Sequence, residues 1–163
     1  MDRIWSPWRM EYIESHRDDE DAGACVFCSL LSEAGAEDRV LERRDLAFVT
    51  LAKYPYNPGH LLVLPTRHVG ELDDVKPDEA AEVFELLRRS VEILREASEP
   101  HGFNIGLNLG RAAGAGIPQH LHWHVVPRWG GDTNFMPVVG ETRVLPELLE
   151  QTFRKLAPRF AST

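Results

Sequence analysis

The pattern of apolar and polar residues predicts a sheet with one long helix between its strands. Short apolar runs, bounded by charges or turn residues, predict strands at residues 46–50, 60–64, 103–109 and 119–126. Between the first two, residues 54–59 form a predicted turn, because they hold two prolines and an Asn-Pro-Gly sequence. Strands joined by turns, without a repeating strand-helix-strand order, indicate an α+β fold with an antiparallel sheet of about five strands.

The longest helix is predicted at residues 77–98. Pro77 suits the first helical position, Asp78 suits the positive end of the helix dipole, and Pro100 prevents extension. Apolar residues at three- and four-residue spacing predict one buried stripe, made of Ala80, Phe84, Leu87, Val91, Leu94 and Ala97. A second helix is predicted near the C-terminus, at residues 145–156.

Length and charge narrow the class of protein. The 163 residues suit a single domain over residues 1–163, with an N-terminal arm and an acidic loop at residues 1–24. The formal net charge of −8 argues against nucleic acid as the main partner, since phosphate backbones are bound mostly by Lys and Arg. We find no apolar run of membrane-spanning length and no apolar signal core at the N-terminus. We therefore expect a soluble, cytoplasmic protein without a membrane partner.

The two cysteines form a Cys-Val-Phe-Cys unit at Cys25 and Cys28. Three interpretations are open: a disulfide, a redox dithiol, or half of a zinc site completed by ligands from elsewhere. A disulfide would close a very small loop, and a redox pair usually follows a strand, whereas a polar segment precedes Cys25. The residues therefore favour zinc among the three.

The most informative segment is the predicted strand that holds His120, His122 and His124. Alternate residues of a strand point to the same face, so the three imidazoles are predicted to line one face while Leu121 and Trp123 face the core. This arrangement suits either a metal centre or a nucleophilic imidazole that attacks phosphorus with its neighbours bound to phosphate oxygens. The glycine-rich segment at residues 110–116 can offer backbone N–H groups to an anion, which favours phosphate chemistry.

Residues 120–126 resemble the signature of the histidine-triad (HIT) family, in which three histidines alternate with apolar residues. Residues 57–65, with Arg67 and His68, are similar to the family's upstream block. Residues 5–13 and 127–135 resemble its bacterial branch related to diadenosine tetraphosphate phosphorylases. The resemblance implies the HIT fold, a homodimer, and cleavage of a nucleotide substrate, either a dinucleoside polyphosphate or a nucleoside phosphoramidate.

The resemblance also implies roles for single residues. In the family, the middle histidine attacks the α-phosphorus and forms a nucleotidyl-histidine intermediate, which implies that role for His122. The implied phosphate contacts are His60 and His124, so that His60, His122 and His124 are the predicted catalytic residues. Asn108 and the backbone near Gly116 are implied to bind the nucleotide together with His60 and His124.

Zinc-bearing members of the family use a set of ligands that is complete in this chain: Cys25, Cys28, His68 and His120. Such a closed Cys₂His₂ set implies structural zinc and no catalytic metal. Two other functions stay open, a nucleotide-binding regulator with little turnover and a metalloenzyme that uses the triad itself. The sequence leaves the choice between water and phosphate as acceptor open as well.

Two positions depart from the family's pattern. Ala52 stands where the branch usually has an asparagine that can bind ribose, and Ile117 stands where many members have a serine or threonine that can bind phosphate. These two residues therefore raise the question of how ribose and phosphate are recognised.

Overall fold

The structure is a computed structural model, and it describes residues 25–32, 39–132 and 145–162. The predicted N-terminal arm and acidic loop, at residues 1–24, lie outside these ranges. No helix in the described ranges has both the length and the apolar character needed to cross a membrane. The division of the whole chain into one domain stays a prediction.

One antiparallel sheet organises the described residues. Its strands are β1 (Val40–Arg43), β2 (Ala47–Leu51), β3 (Leu61–Pro65), β4 (Gly102–Leu107) and β5 (Trp123–Arg128). They are arranged in the order β1-β2-β3-β5-β4, and every neighbouring pair is antiparallel. The helices are α1 (Val26–Ser32), α2 (Pro77–Ser98) and α3 (Leu149–Phe160). The predicted α+β fold with five strands is confirmed.

The two central strands, β2 and β3, are apolar at every position except Thr50. All residues of β2 and β3 are buried, because helices and apolar side chains cover both faces of these strands. In the register of β3 with β5, Leu61 lies opposite Val125 and Leu62 opposite His124. His60 lies one residue before β3, and β3 is the strand next to β5, which carries His124.

The two faces of the sheet are covered by different helices. On one face, α2 and α3 pack in the larger core, which includes Val49, Val63, Leu86, Val125 and Leu156. On the other face, Phe27 and Leu30 of α1 pack in a smaller cluster with Phe48, Leu62 and Leu64. Because residues paired across strands point to the same face, His124 lies on the α1 face with Leu62.

Helix α2 has the predicted bounds but a different buried face. Its N-terminus is capped by Glu79, whose carboxylate accepts a hydrogen bond of 2.9 Å from the Lys76 N–H, and it ends where Glu99 turns left-handed. The buried residues are Glu79, Val83, Leu86, Leu87, Ser90, Ile93 and Leu94. The predicted stripe was wrong at Ala80, which is exposed, and at Phe84, which is 71% exposed. The spacing of apolar residues did not identify the buried face, because two of its residues, Glu79 and Ser90, are polar.

Several predicted element bounds were wrong. Strand β4 ends at Leu107 and not at residue 109, and helix α3 ends at Phe160 and not at residue 156. Strand β5 begins at Trp123 and not at Gln119, since the backbone before it bonds to loops: the Leu121 N–H donates to the Val69 carbonyl at 2.8 Å. Helix α3 starts at Leu149 and not at residue 145. The side chain of Gln151 accepts a hydrogen bond of 2.9 Å from the Leu148 N–H and thereby sets the start of the helix.

An ion pair between the half-exposed Arg67 and the buried Glu79 connects the segment after β3 to α2. The guanidinium of Arg67 donates two hydrogen bonds, of 2.7 and 2.8 Å, to the two carboxylate oxygens of Glu79. These bonds lower the pKa of Glu79 to about 2, so this buried carboxyl stays ionised. The pair fixes the backbone next to His68, which is one of the predicted metal ligands.

Candidate active site and metal centre

The four predicted metal ligands lie together. Cys25 precedes α1 and Cys28 lies in its first turn, while His68 follows β3 and His120 lies in the segment before β5. One donor atom from each of the four falls within 4.8 Å of the other three. The Sγ of Cys25 is 3.4 Å from Nδ1 of His120, and the Sγ of Cys28 is 3.4 Å from Nδ1 of His68 and 3.6 Å from Nδ1 of His120.

These separations fit a tetrahedral zinc ion. With Zn–S near 2.3 Å and Zn–N near 2.05 Å, sulfur and nitrogen ligands are about 3.5 Å apart. His120 is fully buried, and its Nε2–H donates to the Pro65 carbonyl at 3.0 Å, which leaves the Nδ1 lone pair directed at the thiols. The two cysteines are free and form no disulfide with each other. Burial, then the neighbouring Cys25, raises the pKa of the Cys28 thiol, a cost that a cation would offset.

The prediction that the three triad histidines share one strand was wrong. Only His124 belongs to β5, and His120 and His122 lie in the segment that leads into it. His120 faces the cysteines and holds this segment against Pro65. One histidine, His120, therefore belongs to the metal cluster, and the other two, His122 and His124, lie beside each other outside it.

His122 is oriented as a nucleophile would be. Its Nδ1 is 2.8 Å from the His120 carbonyl, which can only accept, so Nδ1 carries the proton and Nε2 keeps its lone pair. Burial lowers the pKa of His122, which favours the neutral ring. The ring packs against Phe27, with centroids 5.1 Å apart, and against His124 at 5.2 Å.

His60 and His124 form a hydrogen-bonded pair whose protons can be assigned from the backbone. The Tyr56 N–H donates to Nδ1 of His60 at 3.0 Å, so the neutral His60 ring has its proton on Nε2. Nε2 of His60 is 2.9 Å from Nδ1 of His124 and donates to it. His124 then carries its own proton on Nε2, a buried atom without a hydrogen-bond partner among the described residues. This N–H is a hydrogen-bond donor that no described residue satisfies.

The same surroundings keep His124 neutral. Burial, followed by the neighbouring His122, lowers the pKa of His124 to about 4. A neutral His124 with its proton on Nε2 can donate a hydrogen bond to an anionic oxygen across the physiological pH range.

The predicted nucleotide-binding residues Asn108 and Gly116 lie in the segment after β4. Asn108 directly follows Leu107, the last residue of β4, which is opposite Trp123 in the β4–β5 register. The glycine-rich segment folds back on itself, because the N–H groups of Ala113 and Ala115 both donate to the Gly110 carbonyl. Gly110 has a positive φ of 71°, which favours glycine there. Gly116 follows this loop on the approach to the triad.

The two departures from the family's pattern are apolar parts of the α1 face. Ala52 is buried and Ile117 is half-buried, and both pack against the cluster that contains Phe27. The backbone of Ala52 still contributes to the site, since its N–H donates to the His60 carbonyl at 3.0 Å. Neither side chain can replace the hydroxyl or amide donor that the pattern would have supplied.

Sequence reasoning missed two aromatic residues of the site, Phe27 and Tyr56. Phe27 lies between the two cysteines. Its place near the triad could have been predicted, because a residue between two ligands of one metal is held near the other ligands, one of which is His120. Tyr56 was included only in a turn, yet its ring stacks on His60 with centroids 4.7 Å apart.

Comparison with known proteins gives consistent results. Residues 33–131 match the family model described as HIT domain. An AP-4-A phosphorylase of Mycobacterium tuberculosis is 42% identical over 166 residues, which cover 99% of this chain and 85% of that protein. A bis(5'-nucleosyl)-tetraphosphatase [asymmetrical] of Schizosaccharomyces pombe is 37% identical over 53% of this chain and 46% of that protein. A crystal structure of a Zn-bound histidine triad family protein from Mycobacterium smegmatis has a TM-score of 0.69 and 31% identity, covering 85% of this chain and 94% of that one.

Proposed function

Because the chain belongs to the HIT domain family, we propose that it cleaves dinucleoside polyphosphates through a nucleotidyl-histidine intermediate. One observation carries this proposal: Nε2 of His122 presents a lone pair beside an available N–H on Nε2 of His124. A nucleophile and an adjacent donor are what displacement at phosphorus requires. The similarity to an AP-4-A phosphorylase over nearly the whole chain supports the substrate class.

The proposed reaction has two displacements. First, the Nε2 lone pair of His122 forms a bond to the α-phosphorus, and the P–O bond to the leaving nucleotide breaks, so that the electron pair leaves on its oxygen. His122 becomes a nucleotidyl imidazolium, which the Nδ1–H bond to the His120 carbonyl stabilises. Second, phosphate or water attacks phosphorus, and the N–P bond breaks to restore neutral His122. Water would release its extra proton to solvent.

The remaining predicted residues stabilise charge in this scheme. We assign His124 Nε2–H to an oxygen of the reacting phosphate or the departing group, and His60 to fixing the proton of His124. Asn108 and the backbone at Gly116 are assigned to the phosphate chain because they lie in the segment that connects β4 to the triad. Each such donor typically contributes about 10²–10³-fold to turnover.

We propose that zinc is held by Cys25, Cys28, His68 and His120 and that its role is structural. Four protein ligands close a tetrahedral site and leave no position for substrate, so zinc would supply cross-linking of α1 to the sheet. Among the described residues, this is the sole grouping of three or more potential metal ligands, and His122 and His124 are outside it. The geometry therefore favours a metal-free reaction over a triad metalloenzyme. A reducing cytoplasm keeps such thiols available for metal, and we place the protein there.

The experiment that tests this function traps the intermediate. The protein is mixed with a dinucleoside tetraphosphate labelled at the α-phosphate and is then quenched in alkali, where a phosphorus–nitrogen bond survives. We expect a labelled protein that loses its label in acid. Initial rates with and without inorganic phosphate then identify the acceptor. An adduct that forms with turnover slower than about once per hour would favour the regulator, for which the apolar Ala52 and Ile117 provide a reason.

We also propose a homodimer joined through β4. This strand is at the edge of the sheet, and Ile105 on it is 50% exposed on the α2 face, since it pairs with Val125 of the core. In α2, Arg95 lies over the ring of Phe103, a residue of β4. Phe84 is about three helical turns before Arg95 and is therefore on the side of α2 that faces the β4 edge of the sheet. An unpaired strand edge with exposed apolar side chains favours pairing with a second copy.

Replacing Ile105 by Lys is expected to convert a dimer to a monomer at micromolar concentration. A charge in the middle of an apolar interface is desolvated without a partner, which costs several kcal/mol. Sedimentation velocity of both proteins provides the measurement. Leu148→Lys is the matched control, because Leu148 is exposed at the start of α3. A wild-type monomer, or a dimer unaffected by Ile105→Lys, would contradict the proposed interface.

The low pKa of His124 predicts that this ring does not titrate between pH 6 and 8. The groups that face it are His60, His122 and the Tyr56 ring, and none of these is an anion that would favour its protonation. An unfolded histidine titrates near pH 6.5, so the unfolded chain binds the extra proton first. The free energy of unfolding therefore falls as the pH is lowered from about 6.5 to about 4.

Imidazole NMR measures this directly. The ring protons of His124, assigned by comparison with His124→Asn, should keep constant shifts down to about pH 5, and the urea-unfolded chain should titrate near 6.5. A folded-state titration of His124 near 6.5 would show that the ring is hydrated and would remove the basis of its assigned donor role.

A further inference from the structure

Tyr56 makes two kinds of contact with the His60–His124 pair. Its backbone N–H donates to Nδ1 of His60 at 3.0 Å. Its ring lies nearly parallel to both imidazoles, with a centroid distance of 4.7 Å and an angle of 25° to His60, and of 5.8 Å and 19° to His124. Tyr56 is 42% exposed, so its side chain extends from the buried histidine pair to solvent. A tyrosine used only as a turn residue would have no reason to lie over both rings.

The hydrogen bond between the two imidazoles depends on the orientation of both rings. Nε2 of His60 and Nδ1 of His124 are 2.9 Å apart, and the two ring planes are 34° apart. Rotation of either ring about its Cβ–Cγ bond would move the donor or the acceptor away from this line. A flat aromatic ring stacked on both imidazoles opposes that rotation, because any tilt would meet the ring face. The Tyr56 ring therefore fixes where the Nε2–H of His124 points.

We propose that the aromatic ring of Tyr56 is a positioning residue that aims the Nε2–H of His124 at the departing oxygen of the substrate. This inference rests on the proposed function, and it adds a specific step, stabilisation of the leaving group. As the P–O bond breaks, the electron pair remains on the leaving oxygen and the His124 proton stays on nitrogen as a hydrogen-bond donor. The ring acts through its face, and the phenolic hydroxyl is not required.

A series of leaving groups tests the proposal. Aryl esters of adenosine 5'-monophosphate, from phenyl to p-nitrophenyl, vary the basicity of the leaving oxygen and leave the rest of the substrate unchanged. A hydrogen bond to that oxygen matters most for the basic phenolate. We expect Tyr56→Leu to lower kcat about tenfold for the phenyl ester and about twofold for the p-nitrophenyl ester, with KM nearly constant. Tyr56→Phe should restore the wild-type dependence, and Tyr54→Leu, two residues away and 63% exposed, is the matched control.

A second measurement is independent of turnover. Long-range ¹H–¹⁵N spectra of the imidazoles report the tautomer of each histidine. We expect one Nε2–H tautomer of His124 in the wild type and in Tyr56→Phe, and a mixture of tautomers in Tyr56→Leu. If the wild type hydrolyses no ester and forms no adduct, the proposed function fails, and the spectra still decide whether Tyr56 orders the pair. An unchanged leaving-group dependence together with an unchanged His124 tautomer in Tyr56→Leu would overturn the positioning role.

Discussion

Replacing His122 by Asn is expected to lower turnover by roughly 10⁴-fold or more, because groups that act as a unit lose most of their effect when the essential member is removed. The substitution removes the Nε2 lone pair that forms the bond to phosphorus. It leaves the His60–His124 pair, Asn108 and the Gly110–Gly116 loop in place, so nucleotide affinity should stay within a few-fold of the wild-type value. Steady-state rates, calorimetric titration with a nucleotide and the alkaline-quench trap measure the three quantities.

The control for this result is His124→Asn. It removes one donor and keeps the nucleophile, so turnover should fall by a smaller factor, on the order of 10²–10³, and the labelled adduct should still form. Two results would argue against a nucleophilic His122: more than a tenth of wild-type activity in His122→Asn, or loss of activity when a chelator is added to enzyme that stays folded. Either result would favour a metal bound by the triad.

The helices and strands of the core could be predicted because local chemistry sets them. Pro77, the acidic first turn and Pro100 define α2 without reference to its neighbours, and the structure confirms both ends. The face that α2 buries was harder to predict. Glu79 is buried only because Arg67, from a distant segment, neutralises it. A pattern of apolar residues contains no information on such a pairing, so Phe84 was placed in the core.

The histidine segment shows where a periodicity argument fails. Alternation along a strand predicted three rings on one face, but the strand begins only at Trp123. His120 is drawn to the cysteines and to the Pro65 carbonyl, and the Leu121 N–H bonds to Val69 in a loop. The resemblance to the HIT family nevertheless implied the four metal ligands, and the structure brings their donor atoms together although the backbone between them is not the predicted strand.

The positions of the protons on His60 and His124 could not be predicted from the sequence. They depend on one backbone N–H, that of Tyr56, which reaches Nδ1 of His60 across a tight turn. Gly59 makes this turn possible with a φ of 80°, and a Cβ there would lie 3.0 Å from Leu94. That contact sets the proton of His60, and the 2.9 Å hydrogen bond between the two oriented rings then sets the proton of His124. Such information exists only when the chain is folded.

Replacing Cys25 by Ser is expected to lower the stability of the protein more than its turnover per folded molecule. The wild type should contain about one zinc per chain, tetrahedrally bound. A ligand present at about 1,000 times its Kd stabilises the folded state by about 4 kcal/mol, so loss of the ion should lower the free energy of unfolding by an amount of that order. The larger core between the sheet, α2 and α3 contains neither cysteine, so we expect it to remain folded without the ion.

Loss of zinc is expected to affect turnover through α1 and its contact with His122. Without zinc, α1 loses its link to His68 and His120, and its residue Phe27 loosens from the His122 ring. We expect less than a tenfold fall in kcat for the folded fraction, since the lone pair and the His124 donor remain. Elemental analysis, urea unfolding and active-site titration with the labelled adduct measure the three quantities. Val26→Ser, next to Cys25 and exposed, is the control that should keep the metal. A Cys25–Cys28 disulfide in the wild type, or a metal-free variant as stable as the wild type, would show that the four residues do not hold a structural zinc.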